Sequence, residues 1–230
     1  MRIAAPVPHA QTTLKSAGRL AEVADPGEAI FRLAVDDLDE GLAYQRDARP
    51  ELAFEDEPPP RRLAPYAAAI AASVLEGDTE IGWGKFVLLY DPAGQPGWAG
   101  QFRIIAYVRA ELDPEIAADP LIAAVGWSWL TEALEARTAG YGQTSGTVTR
   151  VVTEGFGSKQ DEPTATGFEL RASWSPLGTE AAEPPVEDGA NDGLAGHMAA
   201  WCGTMCAAAG LAPLAAGVSA LRPASRRRSP

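Results

Sequence analysis

Glu111, Asp113, Glu115 and Asp119 fall within nine residues, and Arg109 stands just before them. Carboxylates this close can share a proton or hold a cation, so Arg109, Glu111 and Asp113 are the candidates for general acid–base work. Helix capping competes for the same side chains. Asp113 and Asp119 each precede a proline, and Glu115 falls in the first turn of the helix that such a pair opens. Capping accounts for these three carboxylates without any catalysis.

Metal and nucleophile chemistry have less to work with. The chain has two cysteines, Cys202 and Cys206, and two histidines, His9 and His197. A zinc site needs three or four converging ligands. On one helix, His197 lies about 140° around from Cys202, so the two diverge. His197 is also the one candidate base for a nucleophile, and it sits at the margin of a core stripe, where a hydrogen-bonded structural histidine is the plainer reading. The cysteines, at i and i+4, fit disulfide geometry poorly and read as free thiols. Two glycine-rich runs, DPAGQPG at 91–97 and GFGSK at 155–159, neither open a helix nor end in Gly-Lys-Ser/Thr, so turn chemistry explains them. No metal and no cofactor is expected.

The tryptophans carry a different signal. Trp98 falls at a hairpin mouth and Trp83 in a glycine-bracketed turn, neither a place for a deep core. In 120–137, Ile122, Val125, Trp129 and Ala133 make one helical stripe, and Trp127, Leu130 and Leu134 make a second beside it. Together they cover more than half of the helix, which is too wide for one face on one sheet. Trp127, Trp98, Trp83, Leu130 and Leu134 are therefore candidate interface residues, since tryptophan is enriched at binding surfaces. The structural alternative is that they cap the edge of the core.

The elements that must position these residues run from Gly84 to Arg137. Phe86-Val87-Leu88-Leu89-Tyr90 is apolar on both faces, as in a central strand. In the next strand Phe102, Ile104, Ala106 and Val108 share one side, and Arg103, Ile105, Tyr107 and Arg109 the other. The link between them has hairpin chemistry. A first helix starts at Asp25-Pro26-Gly27-Glu28, an N-cap, a proline at the first helical position and a glutamate placed to close a capping box. Ile30, Phe31, Ala34, Val35, Leu38 and Leu42 give it a stripe over roughly four turns. ELAFEDEPPPRR, 51–62, reads as a solvated connector. In 65–75, Tyr66, Ile70 and Val74 fit a helix face and a strand face alike; the short length and the missing cap at Ala64 favour strand. A second hairpin spans 146–157 and 167–174. A last helix at 192–209 places Leu194, Met198, Trp201 and Met205 on one stripe.

The order is helix, three strands, helix, two strands, helix. That predicts an α+β domain over 25–210, with helices packed on an antiparallel sheet of about five strands. Residues 1–24 read as a disordered arm, which a start codon lying further downstream explains equally well. Residues 176–190 read as a mobile acidic loop and 211–230 as a flexible tail.

A net charge of −12 lacks the basic face that phosphate binding needs and disfavours anionic membranes, so neither nucleic acid nor membrane is an expected partner. The first residues hold no continuous apolar segment, and free thiols suit a reducing cytoplasm.

Several runs carry a resemblance: RLAPYA (62–67), FVLLYDPAGQPGW (86–98), FRIIAYVRAEL (102–112), ADPLIAAVGWSWLTEALEA (118–136), SGTVTRV (145–151) and ELRASWSP (169–176). They resemble an actinobacterial family, a DUF3000-like domain of unknown function, over about 62–176. The resemblance implies no activity. The element order is also similar to the type III secretion chaperone-like fold, which includes YbjN-type proteins; that likeness implies a dimer-forming, protein-binding module without catalytic residues. The expectation is thus a non-enzymatic module that binds a protein partner or forms a homodimer. The rival is an enzyme or small-molecule binder built on Arg109 and the nearby carboxylates.

Overall fold

The computed structural model describes residues 2–3, 25–138, 140–178 and 193–213. In chain order the elements are β1 (Arg2–Ile3), α1 (Pro26–Ala48), β2 (Leu52–Asp56), β3 (Tyr66–Glu76), β4 (Thr79–Tyr90), β5 (Phe102–Glu111), α2 (Pro114–Ala118), α3 (Ile122–Arg137), β6 (Tyr141–Thr153), β7 (Ala165–Pro176) and α4 (Leu194–Ala208). The strands form one antiparallel sheet in the order β1-β3-β4-β5-β7-β6, and β2 also pairs with β3. The five long strands lie where the sequence pattern predicts them, in the α+β arrangement expected, and 66–76 is a strand.

Two short strands were not expected. β2 runs through the stretch read as a connector. Leu52 is buried and Phe54 packs against the core beneath Arg46, whose guanidinium carbon lies 5.7 Å from the ring centroid. The acidic residues around this Leu-x-Phe alternation hide it. β1 occupies the same edge of β3, with Arg2 opposite Ala69, while β2 runs from Leu52 opposite Val74 to Asp56 opposite Ile70. Residues 1, 4–24, 179–192 and 214–230, which hold most of the expected arm, loop and tail, lie outside the described residues. At the start of that tail, Leu211 N–H donates to the Cys206 carbonyl at 2.8 Å, and Arg49 Nη2 donates to the Ala212 carbonyl at 2.9 Å.

The helices cover one face of the sheet. α1 is capped by Asp25, whose Oδ1 accepts from Gly27 N–H at 3.0 Å. Glu28 does not close a capping box but pairs with Arg32 at 2.7 Å. Phe31, Val35, Leu38 and Leu42 are buried while Ile30 is exposed, and the helix runs for 23 residues, longer than the stripe suggests. α4 lies against α1, α3 and the sheet, and twelve of its fifteen residues are buried, so it has no polar side. Its start is capped from another helix: Leu194 N–H donates to Asp37 Oδ2 at 2.6 Å. Gly41 allows the α1–α4 approach, because a Cβ there would lie 2.8 Å from Ala195 Cα.

Two sequence assignments need correction here. Trp83 is not in a turn but inside β4. The glycine beside it serves packing, since a Cβ on Gly84 would lie 2.7 Å from Met205 Sδ of α4 and 2.8 Å from the Tyr107 carbonyl. On α3 the buried line is Ile122, Gly126, Leu130 and Leu134, not Ile122, Val125, Trp129 and Ala133. Gly126 sits against Phe168, where a Cβ would come within 2.1 Å of Cε2, and this close approach rotates the helix. Leu130 and Leu134 are therefore fully buried in the chain's own core and cannot present an interface.

Candidate functional site

The face of the sheet opposite the helices carries the chemistry. Alternation along β5 sends Phe102, Ile104, Ala106, Val108 and Ala110 into the helix-covered core. Arg103, Ile105, Tyr107, Arg109 and Glu111 go to the other side, as the sequence pattern predicts. Cross-strand register then builds a row across three strands: Trp83 is opposite Arg109, and Tyr107 is opposite Arg171. The Arg109 guanidinium carbon lies 5.7 Å from the Trp83 ring centroid, and that of Arg171 lies 5.6 Å from Tyr107. The Trp83 and Tyr107 rings are 5.7 Å apart. Each of these arginines also has an acid, Arg109 with Glu80 and Arg171 with Glu169, both at 3.0 Å. Burial, then the Glu169 carboxylate, pushes the Tyr107 hydroxyl up from its ordinary pKa.

Arg109 and Glu111 line a hollow of about 230 Å³ with Glu80 and Glu169. Sequence reasoning pointed to the first two and missed the others, which come from β4 and β7. The hollow is small beside ordinary ligand pockets, which run from about 300 to 1,000 Å³, and its arginine is already paired and more than half exposed. The remaining carboxylates do not converge on it. Asp113 Oδ1 caps α2 by accepting from Glu115 N–H, and Asp119 Oδ1 accepts from Leu121 N–H, both at 2.8 Å.

A larger groove of about 520 Å³ lies on the same face under the loop joining β4 to β5. That loop is pinned at both ends. Asp91 N–H donates to the Gln101 carbonyl at 2.9 Å, and Ala99 N–H donates to Ser175 Oγ at 3.0 Å. It lays half-buried Trp98 against Ala67, Ala69, Val87, Leu89 and Ile105, a second apolar cluster separate from the main core. Trp98 is thus at the hairpin mouth, as expected, and walls a groove. Arg103 also lines the groove and is 8% exposed. It was placed on this face by alternation but not singled out, because burial of an arginine leaves no mark in the sequence.

Trp127 and Trp129 are both half-buried and both pack against the core. Trp129 lies 5.6 Å from Phe168, ring to ring, and Trp127 closes over Gly146, where a Cβ would sit 2.6 Å from its Cζ3. Trp127, a candidate interface residue, is thus packed against the chain's own sheet. The free surface lies at the edge instead. Among the described residues β6 pairs with β7 alone, whereas the opposite edge is covered by β1 and β2. β6 has thirteen residues, mostly exposed, with Arg150 its one charge. Arg150 Nη1 donates to the Asp119 carbonyl at 3.4 Å, which sets this end of β6 beside the α2–α3 junction. Ile116, Leu121, Val152 and Phe156 are all exposed at that corner.

His197 is buried, and its Nδ1 accepts from Trp174 Nε1–H at 3.1 Å. Burial holds its pKa down at about 4. Cys202 and Cys206 are free and buried, and burial pushes both thiols up, Cys206 to about 11. Among the described residues no group of three or more His, Cys, Asp or Glu side chains is placed to hold a metal ion. No helix there is long and apolar enough to cross a membrane.

Residues 28–219 match the model of a protein family of unknown function, DUF3000. The chain belongs to that family. The DUF3000 match takes in α1 and α4 as well as the runs from 62 to 176, so both outer helices are part of the family's domain. No curated protein and no solved structure matches the chain.

Proposed function

We propose that the protein is a non-enzymatic binding module that associates through the free edge of β6, with a second copy of the chain as its occupant. The observation that carries this reading is the edge itself. A thirteen-residue strand presents one edge that no described strand pairs. Such edges template strand addition unless they are blunted by charge, proline or cover. Among the described residues, cover lies on the opposite edge, where β1 and β2 pair with β3, and β6 is protected only by Arg150 and by the bulge between Gly142 and Ser145. Seven of the thirteen residues are Thr or Val, which favours strand pairing.

Charge limits where a second copy can dock. Two chains of −12 repel each other, so contact is least costly along a seam with no acid, and β6 has none. A two-fold axis beside β6 runs the strand antiparallel to itself and joins the two sheets into one. The two free thiols suit a reducing cytoplasm as its place of work.

Sedimentation velocity over a range of concentrations tests this reading. The wild type should self-associate, and the surface double variant Thr149→Lys/Val152→Lys should stay monomeric while still melting cooperatively, at a temperature that no longer depends on concentration. A wild type that is monomeric throughout the range overturns the reading.

A further inference from the structure

We propose that the groove beneath the Trp98 loop is a binding site for a small monoanion, a carboxylate carried on a flat apolar body. The carboxylate pairs with Arg103 and the apolar body lies beside Trp98. This site is on the face of the sheet and does not depend on association through the β6 edge.

Charge carries the argument. Arg103 is 8% exposed, yet every partner it has among the described residues is neutral. Nη1 donates to the Gln143 carbonyl at 2.9 Å and to Ser175 Oγ at 3.4 Å, and Nη2 donates to Ser173 Oγ at 2.6 Å. The other two arginines on this face, Arg109 and Arg171, each have a carboxylate at 3.0 Å. A buried charge is retained at a cost unless something of opposite sign compensates it, and no described side chain does so for Arg103. Burial is also the cause that draws its pKa down. These three bonds use three of the five guanidinium N–H groups, leaving donors for one more acceptor.

The backbone supports the same assignment. β6 breaks register between Gly142 and Ser145, and Gln143 within the break has φ 52°. It is the one non-glycine residue with positive φ among those described. Bulges and left-handed residues of this kind persist where surrounding structure holds them, often beside binding sites, because they re-aim a group. The group re-aimed here is the carbonyl that holds Arg103. The bulge therefore fixes the guanidinium, and no described carboxylate matches its charge.

The rest of the lining sets the ligand class. The groove, about 520 Å³, is of ordinary ligand size. Leu89, Trp98 and Ile105 give it an apolar side, and Ser145 and Ser173 a polar side next to Arg103. Since Arg171 is matched by Glu169, the lining has one cation to spare, which suits a monoanion, and a guanidinium fork fits a carboxylate in two-point contact. An indole wall favours a flat ring on the other end.

Calorimetric titration of the full chain with naphthalene-2-carboxylate, its neutral carboxamide and inorganic phosphate tests the site. The carboxylate should bind about tenfold or more tightly than either the amide or phosphate, as a charge-assisted pair beside an apolar wall requires. Arg103→Gln and Trp98→Ala should each lose about tenfold or more of that affinity, and Arg32→Gln, which removes an exposed paired charge on α1 outside the groove, should not. Where Arg103→Gln fails to fold, the carboxylate–amide comparison on the wild type together with Trp98→Ala decides the question. Equal binding of carboxylate and amide, phosphate binding as tight as the carboxylate, or no binding of the carboxylate overturns the proposal.

Discussion

Trp174 and His197 are buried against each other, and the indole N–H of one donates to the ring Nδ1 of the other at 3.1 Å. The bond joins the last strand of the sheet to the last helix. It requires His197 to be unprotonated at Nδ1, and burial keeps the ring neutral down to about pH 4.

Stability should therefore depend on pH through His197. In the unfolded chain a histidine takes a proton near pH 6.5. Between that value and about 4 the unfolded state binds more protons than the folded one. Stability then falls as pH falls through this window, by roughly 3 kcal/mol in all, and His197 contributes no pH dependence above it. Carboxylates titrate in the same range, so the readout is a difference. In His197→Asn the amide oxygen can accept from Trp174, and the stability curve should be flatter than the wild type between pH 6.5 and 4. Parallel curves for the two proteins, by chemical denaturation at each pH, would show that His197 is not held neutral.

Gly126 sets the spacing between α3 and the sheet. Alanine at this position gains about 1 kcal/mol of helix propensity. Its Cβ, however, would lie 2.1 Å from Phe168 Cε2 and 2.6 Å from Cζ, and that ring is fully buried under Trp129. Overpacking costs about 1–3 kcal/mol, occasionally more, so the clash should win and Gly126→Ala should lose about 2 kcal/mol. Adding Phe168→Leu should recover part of the loss, although Phe168→Leu alone is destabilising. Urea denaturation of the two single variants and the double variant checks the sign, and an Ala variant as stable as the wild type refutes the contact.

Glycine also marks where the sequence stopped being legible. Alternation identified β5, β6 and β7, because burial on one side imposes period two, whereas β4 was legible as a run apolar on both faces and β3 from its short length and missing cap. The caps at Asp25 and Asp113 were readable from the Asp-Pro pairs. Gly84 and Gly126 were not, because a glycine that lets two elements touch looks the same as one that makes a turn. Counting apolar residues on α3 therefore chose Val125 and Trp129 for the core and left Leu130 and Leu134 outside it. Asp37 capping α4 across 157 residues, and Glu80 and Glu169 meeting Arg109 from other strands, depend on tertiary register. So does the burial of Arg103, since alternation gives its face but not the loop that folds over it.

Trp127 and Trp129 should behave alike, although they point to opposite sides of α3. They are two residues apart, so their side chains differ by about 200° around the helix. That separation alone suggests one core residue and one surface residue. Yet each finds a wall. Trp129 packs on Phe168, with ring centroids 5.6 Å apart, and Trp127 closes over Gly146 of β6. Both indoles are half-buried and both belong to the rim of the main core. Truncating a fully buried tryptophan costs about 3–5 kcal/mol, and half-burial lowers the figure, so Trp127→Ala and Trp129→Ala should each lose about 2–3 kcal/mol. Tm should fall by similar amounts in the two variants. Trp127→Ala should in addition loosen the start of β6, seen as faster amide exchange around Gly146, whereas Trp129→Ala should act on the Phe168 end of β7. A Trp127→Ala variant that melts with the wild type and exchanges like it would return Trp127 to the surface.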